Sequence, residues 1–582
     1  MTKVLKFIGK LLGISTEWFI LFFVFFAFLV RTTPVQTYLA QSATTYFSKE
    51  LNTTFSVERV SIVFFNKIVL DGVNIEDRQH KKIAYAKSIF VTLKGVNQIK
   101  REIRLKKVKI EQGIFNLNIS KKTEAFNFQF IVDYFASDKT TSSKPYTFKI
   151  EKLGLKNLDI RYDDYRKPNY TDEINYDHVH LKKLYLFADN FSYNKGTIKL
   201  AINQLSLNER CGLKIRSFSG YTKVNSNIIA VKQLKFKTNH SEVTLPKFQM
   251  LFSTWDDFLQ FDDKVYFNAV LHKSYVAMRD IQYFSSALRG MDQFCEVEAI
   301  VTDRLKALNI KDLKLKFGEK SILQGDLILP DFRNLHNLEY NEKISYCYFP
   351  ITDIEKFNFP ILTGIKPIEF NSYVKRLGYF EGKNVRITGS NQHATIVAQK
   401  INSTQGNIRI PKGLKIDYNK AKDDYLFSSV GSQPNIYLDS IHLGGITQNR
   451  LFGKTSGVVN IQGMFDFDAN LEVHELSGRL AHLTFKNYTY SSILVDKMSY
   501  INNKVEGKLD VQDENARFTY DGNLSFNEEE HYKLTANVTY ANLDKLHLSN
   551  RLNSTISGEI GMDVHGNNLN NYAGEIKLNA IN

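Results

Sequence analysis

Along most of the chain, apolar residues recur at every second position. From about Phe55, the pairs Phe55-Val57, Val60-Ile62, Ile68-Leu70 and Val73-Ile75 alternate with polar neighbours. The same period runs through Ile103-Leu105, Val108-Ile110, Leu117-Ile119, Phe148-Ile150, Leu153-Leu155, Leu158-Ile160, Ile198-Leu200-Ile202 and Leu205-Leu207. It continues in Val459-Ile461, Leu509-Val511, Leu524-Phe526 and Ile576-Leu578. Successive side chains of a strand point to opposite faces, so this pattern predicts strands with one apolar and one wet face. Turns are expected at Asp71-Gly72, Asn194-Lys195-Gly196 and Asp521-Gly522. Short helices are expected at Asn127–Phe135, Ser253–Phe261 and Asp280–Arg289, and a flexible loop at Ser137–Lys144. The last residues still read as strand, and the sheet is expected to continue beyond them.

The start of the chain follows other rules. Trp18–Val30 is thirteen apolar residues without a break, and reaching back to Leu11 makes twenty, interrupted by Gly13, Ser15, Thr16 and Glu17. About twenty residues cross a bilayer. A secretory signal peptide is the rival reading, but it needs a small-residue cleavage site, and Arg31-Thr32-Thr33-Pro34 is a poor one. Lys3, Lys6 and Lys10 precede the apolar run and Arg31 follows it, which leaves the N-terminus in the cytoplasm and sends the rest across. In a bacterium the body is then periplasmic, on a single-pass inner-membrane anchor. Next, Val35, Tyr38, Leu39, Ala43, Tyr46, Phe47 and Leu51 recur at helical spacing, with Thr33 as N-cap and Pro34 in the first helical position. This amphipathic helix either packs on the first strands or lies on the bilayer. The expected organisation is residues 1–31 as cytoplasmic tip and transmembrane anchor, 32–54 as juxtamembrane helix, and 55–582 as sheet.

Such a sheet needs something on its apolar face, and few helices are available to cover it. It can fold onto itself as a sandwich or barrel, or curl into a trough filled by a ligand, for which a tail-bearing lipid is the obvious candidate in an envelope. By alternation alone, the trough lining comprises Leu153, Leu155, Leu158, Ile160, Ile198, Leu200, Ile202, Leu205 and Leu207.

Composition supports sheet. Pro is scarce, 10 in 582, against roughly 5% in average chains, and Tyr (30) and Phe (43) are abundant. Pro is kept out of central strands and aromatic residues suit them. The net charge of +15 fits solubility first and lipid headgroups second. No nucleic-acid motif is present, and no nucleic-acid partner is expected. Cys211, Cys295 and Cys347 are odd in number and far apart, and read as buried structural thiols. His178-Val179-His180 would share a strand face but lacks a completing ligand, so exposed strand histidines are expected rather than a metal site. Gly453-Lys454-Thr455 mimics the end of a phosphate loop, but Gln448 stands where the earlier Gly is required. Asp163-Asp164, Asp256-Asp257 and Asp262-Asp263 fit turn and helix-start preferences. The basic run Lys94, Lys100, Arg101, Arg104, Lys106, Lys107 and Lys109 reads as a solvated face, with headgroup contact as the alternative. No catalytic constellation, metal or cofactor is expected.

The order of these elements resembles the TamB branch of the AsmA-like envelope proteins. The phrases that carry the likeness are the TPVQTYLAQ helix, then VSIVFFNKIVLDGVNIEDRQHKKIAYAKSIFVTL running into IRLKKVKIEQGIFNLN. NFQFIVDYF and FKIEKLGLKNLDIRYDD follow. SYVAMRDIQYFSSAL, LNIKDLKLKFGEKSILQGDLILPDF and RLGYFEGKNVRITG form the middle, and LSGRLAHLTFKNYTY and ARFTYDGNLSF come near the end. The resemblance covers nearly the whole chain. It implies a mainly β protein: one transmembrane helix, then an elongated, twisted, taco-like sheet with a few short helices. It also implies non-enzymatic work in outer-membrane biogenesis. Phospholipid acyl chains would pass along the trough between membranes. Alternatively, the protein would be a scaffold for assembly of outer-membrane β-barrels with an Omp85-type, TamA-like barrel partner. The C-terminal domain by which TamB proteins meet that partner is not recognisable here, so the chain is an N-terminal portion or a shorter AsmA-like relative.

Overall fold

The computed structural model describes residues 32–579, except 64–65, 123, 132, 134–146, 285–289, 331–338, 357–368, 371, 391, 467–470, 528–529, 553 and 568–570. The protein is mainly β, with few and short helices. Among the described residues no helix is long and apolar enough to cross a membrane. The expected span at Leu11–Val30 and the loop at Ser137–Lys144 lie outside them. The chain divides into two compact units, Met1–Arg289 and Gly290–Asn582.

The first unit opens with helix α1 (Thr33–Leu51), which begins one residue earlier than expected, with Thr32 in the N-cap position. It ends at Asn52, whose left-handed backbone lets its N–H donate to the Ser48 carbonyl. The strands are β1 (Phe55–Ser56), β2 (Arg59–Val63), β3 (Lys67–Glu76), β4 (Lys82–Asn97), β5 (Glu102–Ile119), β6 (Thr147–Asp164), β7 (His178–Asn194), β8 (Thr197–Glu209), β9 (Lys214–Val224), β10 (Ile228–Lys237), β11 (Glu242–Leu251) and β12 (Tyr266–Ala277). Each pairs with the next in antiparallel fashion, with two exceptions. β1 and β2 both pair with β3, and β5 runs parallel to β6.

The second unit is an antiparallel meander. It comprises β13 (Phe294–Arg304), β14 (Ala307–Phe317), β15 (Ser321–Pro330), β16 (Glu339–Pro350), β17 (Tyr379–Ser390), β18 (His393–Ser403), β19 (Gly406–Asn419), β20 (Asp424–Ser429), β21 (Ile436–His442), β22 (Phe452–Phe465), β23 (Leu471–Phe485), β24 (Tyr488–Ile501), β25 (Lys504–Gln512), β26 (Ala516–Phe526), β27 (Glu530–Asn542), β28 (Thr555–Gly566) and β29 (Ala573–Asn579). The short β20 and β21 share the space between β19 and β22, pairing with both.

Two expected turns are not turns. Asp71-Gly72 lies inside β3 and Asp521-Gly522 inside β26. Asp71 is held there by side-chain bonds from Arg59 (2.7 Å) and Ser88 (2.7 Å). Gly72 adopts φ +63°, and the Glu58 side chain fills the space a Cβ would occupy. The glycine thus permits a local irregularity opposite the break between β1 and β2. Asn194-Lys195-Gly196 does turn the chain between β7 and β8. Of the expected helices, Ser253–Phe261 holds a 3₁₀ helix, Trp255–Gln260, capped by Thr254 and Asp257. At the start of the expected Asp280–Arg289 helix stands a one-turn helix, Met278–Ile281, followed by a turn; residues 285–289 lie outside the described residues.

The α1 helix does pack on the first strands, with Leu51 buried and with polar side chains bonded along the strand edge. Gln36, Thr37, Gln41 and Ser48 meet the free edge of β1 and β2. Val60 N–H donates to Thr37 Oγ1 (3.0 Å), and the same hydroxyl donates to the Val60 carbonyl (3.2 Å). Ile62 N–H donates to Gln36 Oε1 (2.6 Å), and Gln41 Nε2 donates to the Val57 carbonyl (3.3 Å). Ser48 Oγ accepts from Phe55 N–H (2.8 Å) and donates to its carbonyl (3.0 Å). An open sheet edge presents unpaired N–H and C=O groups. Here helix side chains satisfy them as a neighbouring strand would.

Candidate functional site

The candidate site is the apolar face, and strand register assembles it. Directly paired residues share a sheet face. In the first unit one unbroken row crosses ten strands, β2 to β11: Val60, Leu70, Ile89, Ile110, Leu155, Leu186, Leu205, Phe218, Phe236 and Val243. A second row runs Ile62, Ile68, Val91, Val108, Leu153, Ala188, Ile202, Gly220. A third links Ile103, Phe148, Tyr193, Ile198, Val224, Ile229, Met250 and Phe267. The other face carries rows such as Thr92, Lys107, Lys152, Asp189, Ala201, Tyr221, Lys232, Lys247. Lys107 of the basic run lies in that polar row, and Lys94 and Arg104 of the same run pair with Glu151 and Glu102.

The second unit repeats the device over fifteen strands. Its row passes from Val297 through Leu315, Leu323, Cys347, Gly382, Ile401 and Ile408 to Leu438. It goes on by Gly457, Leu480, Ile493, Val511, Phe518 and Val538 to Gly558. The glycines mark close approach. At Gly382 a Cβ would stand 2.7 Å from Cys347 Sγ, and at Gly457 2.6 Å from the Leu480 Cα.

All nine residues chosen by alternation lie in strands β6 and β8, and five of them meet in one cluster. Leu158 and Leu207 are buried in it with Leu184, and Leu155, Ile160 and Leu205 are partly buried around them. Leu153 and Ile202 belong to the second row and Ile198 to the third. Leu200 faces Thr222 instead and continues as Val231, Phe248 and Ala269. The nine did not include the other cluster members, Ile110, Phe115, Leu181, Leu184, Leu186 and Ile215, of which only Ile110 lies in one of the alternating pairs read from the sequence. The usable signal is a spacing of three between runs of two. Leu155 to Leu158 and Ile202 to Leu205 are both such steps, and both coincide with register shifts. At the first, Asn157 of β6 and Lys183 of β7 lie at the two shifts of their pairing with φ +56° and +51°, and Gln112, beside Asn157 in β5, has φ +50°. Asn157 and Lys183 each absorb one extra residue, and the apolar phase resumes on the same face.

Among the described residues, every member of this cluster comes from five neighbouring strands, β5 to β9. Its three buried leucines are ringed by eight partly exposed apolar side chains. The second unit's clusters are also drawn from adjacent strands, except that Leu543 and Leu546, just after β27, close over the largest. A fully buried Leu contributes about 1.5–3 kcal/mol, and a half-exposed one correspondingly less. The face therefore keeps apolar surface in reach of a ligand.

The strand ends carry the polar burial. His178 is buried, not exposed as expected. Its Nδ1 meets Asp163 Oδ1 (2.9 Å) and its Nε2 the Lys167 carbonyl (3.2 Å). His180 meets Asp159 Oδ1 (2.5 Å). Asp164 is held by Arg166 Nη2 (2.8 Å), and that bond lowers its pKa to about 2. Asp353 accepts from the N–H groups of Glu319, Lys320 and Ser321 (3.1, 2.8 and 3.0 Å) and from the Ser321 hydroxyl (3.0 Å). Burial pushes its pKa up, but these donors outweigh burial and lower it. Asp513 accepts likewise from Ser491 N–H (2.9 Å), Ser491 Oγ (2.7 Å) and Asn515 N–H (2.9 Å). Cys295 and Cys347 are buried and Cys211 is partly so; none forms a disulfide. Burial raises the Cys211 thiol to about 12 and Cys295 to about 11, which leaves both protonated and unreactive at neutral pH. Gly453-Lys454-Thr455 lies within β22, which is strand and not a phosphate loop. Among the described residues no group of three His, Cys, Asp or Glu is placed to hold a metal.

Against this geometry, a scan of protein-family models and searches of curated proteins and of solved structures find no match to the chain.

Proposed function

We propose that the chain is an inner-membrane-anchored periplasmic protein of outer-membrane biogenesis that conducts phospholipid along its apolar sheet face. The observation that carries this reading is the first unit's ten-strand apolar row, whose cluster is built, among the described residues, from neighbouring strands alone and is backed by a polar face. Acyl chains lying across such rows are solvated by leucine, isoleucine and phenylalanine side chains at every strand, about 4.8 Å apart, without a specific pocket. Headgroups remain in water. The reading asks for no catalytic residue and no cofactor.

Native mass spectrometry of gently purified full-length protein tests it. Co-purified phospholipid is the expected result. Protein that carries no lipid overturns the reading, and protein that carries unfolded outer-membrane β-strands instead replaces it with the assembly-scaffold alternative.

A further inference from the structure

Helix α1 leaves part of its apolar surface turned away from the sheet. In a soluble protein the apolar stripe of a surface helix faces the core. Here the arc facing the sheet carries Gln36, Thr37, Gln41 and Ser48, bonded to the backbone of the β1–β2 segment, with Leu51 buried and Ala40 and Phe47 half-buried among them. Val35, Tyr38, Leu39 and Tyr46 fall within about 100° of the opposite arc at helical spacing. Tyr38 is 70% exposed, Leu39 52% and Tyr46 57%. The polar side chains cannot be released to turn this face inward without leaving the sheet edge unpaired.

The geometry points to a phospholipid bilayer surface as the occupant of this face, with α1 lying in the headgroup zone of the membrane that holds the chain. The apolar run Trp18–Val30 ends three residues before the helix begins at Thr33. Three residues span at most about 10 Å. If the run crosses the membrane, α1 starts where headgroups are. Tyrosine suits that level, because its ring is apolar and its hydroxyl polar. Lys49, on the same arc and exposed, can reach phosphate along its apolar stem. The consequence deepens the proposed function, on which it rests. The edge strand β2, where the apolar row begins at Val60, would stand about one helix diameter, on the order of 10 Å, from the bilayer. The helix would thus set the start of the row at the lipid source.

The test uses full-length protein in vesicles of phosphatidylethanolamine and phosphatidylglycerol. The photoreactive p-benzoylphenylalanine replaces Tyr38, Leu39 or Tyr46 in turn, all exposed and outside the bonds to the sheet. Tyr221, exposed on the polar face, is the control, and Leu205 reports on the apolar row. After irradiation, phospholipid adducts at positions 38, 39 and 46 at least tenfold above position 221 are expected. Adducts to a peptide from residues 11–30 mean that the apolar run folds back on the helix, and overturn the inference. Adducts to a second copy of the chain, or no adduct, overturn it as well. Lipid at 205 but not on the helix sinks the mount and leaves the conduit standing. Lipid on the helix but not at 205 does the reverse. Resistance of the unsubstituted chain to alkaline carbonate extraction checks the anchor separately.

Discussion

At the strand ends, the most deeply buried side chains include Asn175, His178, Ser274, Ser321, Asp353 and Asn435, all polar. At mid-strand, the leucines and phenylalanines of the long rows, such as Leu155, Leu205 and Phe518, keep part of their surface open. A globular core buries its apolar side chains throughout, because burial of apolar area drives folding and buried polar groups are costly unless bonded. Here bonded polar groups seal the ends, and the middle sets buried residues such as Leu158, Ile493 and Val511 among partly open ones. The difference separates two tasks. Hydrogen bonds at the turns fix register and hold strands together, so the apolar face does not have to be closed to hold the sheet together.

The largest effect should come from cutting an end. Asp353→Ala strips one acceptor from three backbone N–H groups and a hydroxyl, and Asp280→Ala does the same to Ser241 Oγ (2.6 Å) and the Thr238 hydroxyl. Removing a buried charged partner costs about 3–5 kcal/mol. Thermal denaturation should show the affected unit melting on the order of 10 °C lower. A cost under about 1 kcal/mol at both sites would mean that the turns do not hold the sheet.

A charge on the apolar face separates its two kinds of leucine. Leu158 is 2% exposed, whereas Leu205 and Leu200 are partly exposed. Leu158→Asp buries an unpaired carboxylate and should unfold the first unit. Leu205→Asp, alone or with Leu200→Asp, can keep its carboxylate in water, should cost about 1–2 kcal/mol, and should leave a folded protein that retains less phospholipid. Circular dichroism and the lipid content of purified variants read both. If Leu205→Asp unfolds as Leu158→Asp does, a second layer seals the face. If it folds and holds lipid normally, the row is not the path.

The contrast also explains what could be read from sequence. Alternation found the strands and the apolar face because side-chain period is a local property. Of the nine residues it nominated, Leu155, Leu158, Ile160, Leu205 and Leu207 share one cluster, and Leu153, Ile198, Leu200 and Ile202 lie outside it. It misjudged Asp71-Gly72 and Asp521-Gly522, because a glycine that admits a close neighbour inside a strand looks the same as one that turns a chain. The burial of His178 depends on Asp163, fifteen residues earlier and across a loop, and no local pattern records that partner. The polar contacts of α1 were hidden for a related reason. The demand of the β1–β2 edge for donors and acceptors is a tertiary fact that the helix's own periodicity does not record.

The smallest effect belongs to the polar face, and it fixes the scale for the other two. Lys508 Nζ lies 2.8 Å from Asp521 Oδ2, across the β25–β26 pair, with both side chains 61% exposed. The pair is as well formed as many buried ones, yet water and salt screen it, and holding two long side chains in one geometry costs rotamer freedom. Lys508→Ala should therefore change stability by less than about 1 kcal/mol, with the difference shrinking further in 0.5 M salt. Asp513 is the internal control, because it lies one residue beyond β25 and is buried, with donors from Ser491 and Asn515. Asp513→Ala should cost several-fold more in the same denaturation experiment. Equal costs at 508 and 513 would erase the distinction between sealed ends and open faces. A cost above about 2 kcal/mol for Lys508→Ala would place the polar face against another surface rather than in water.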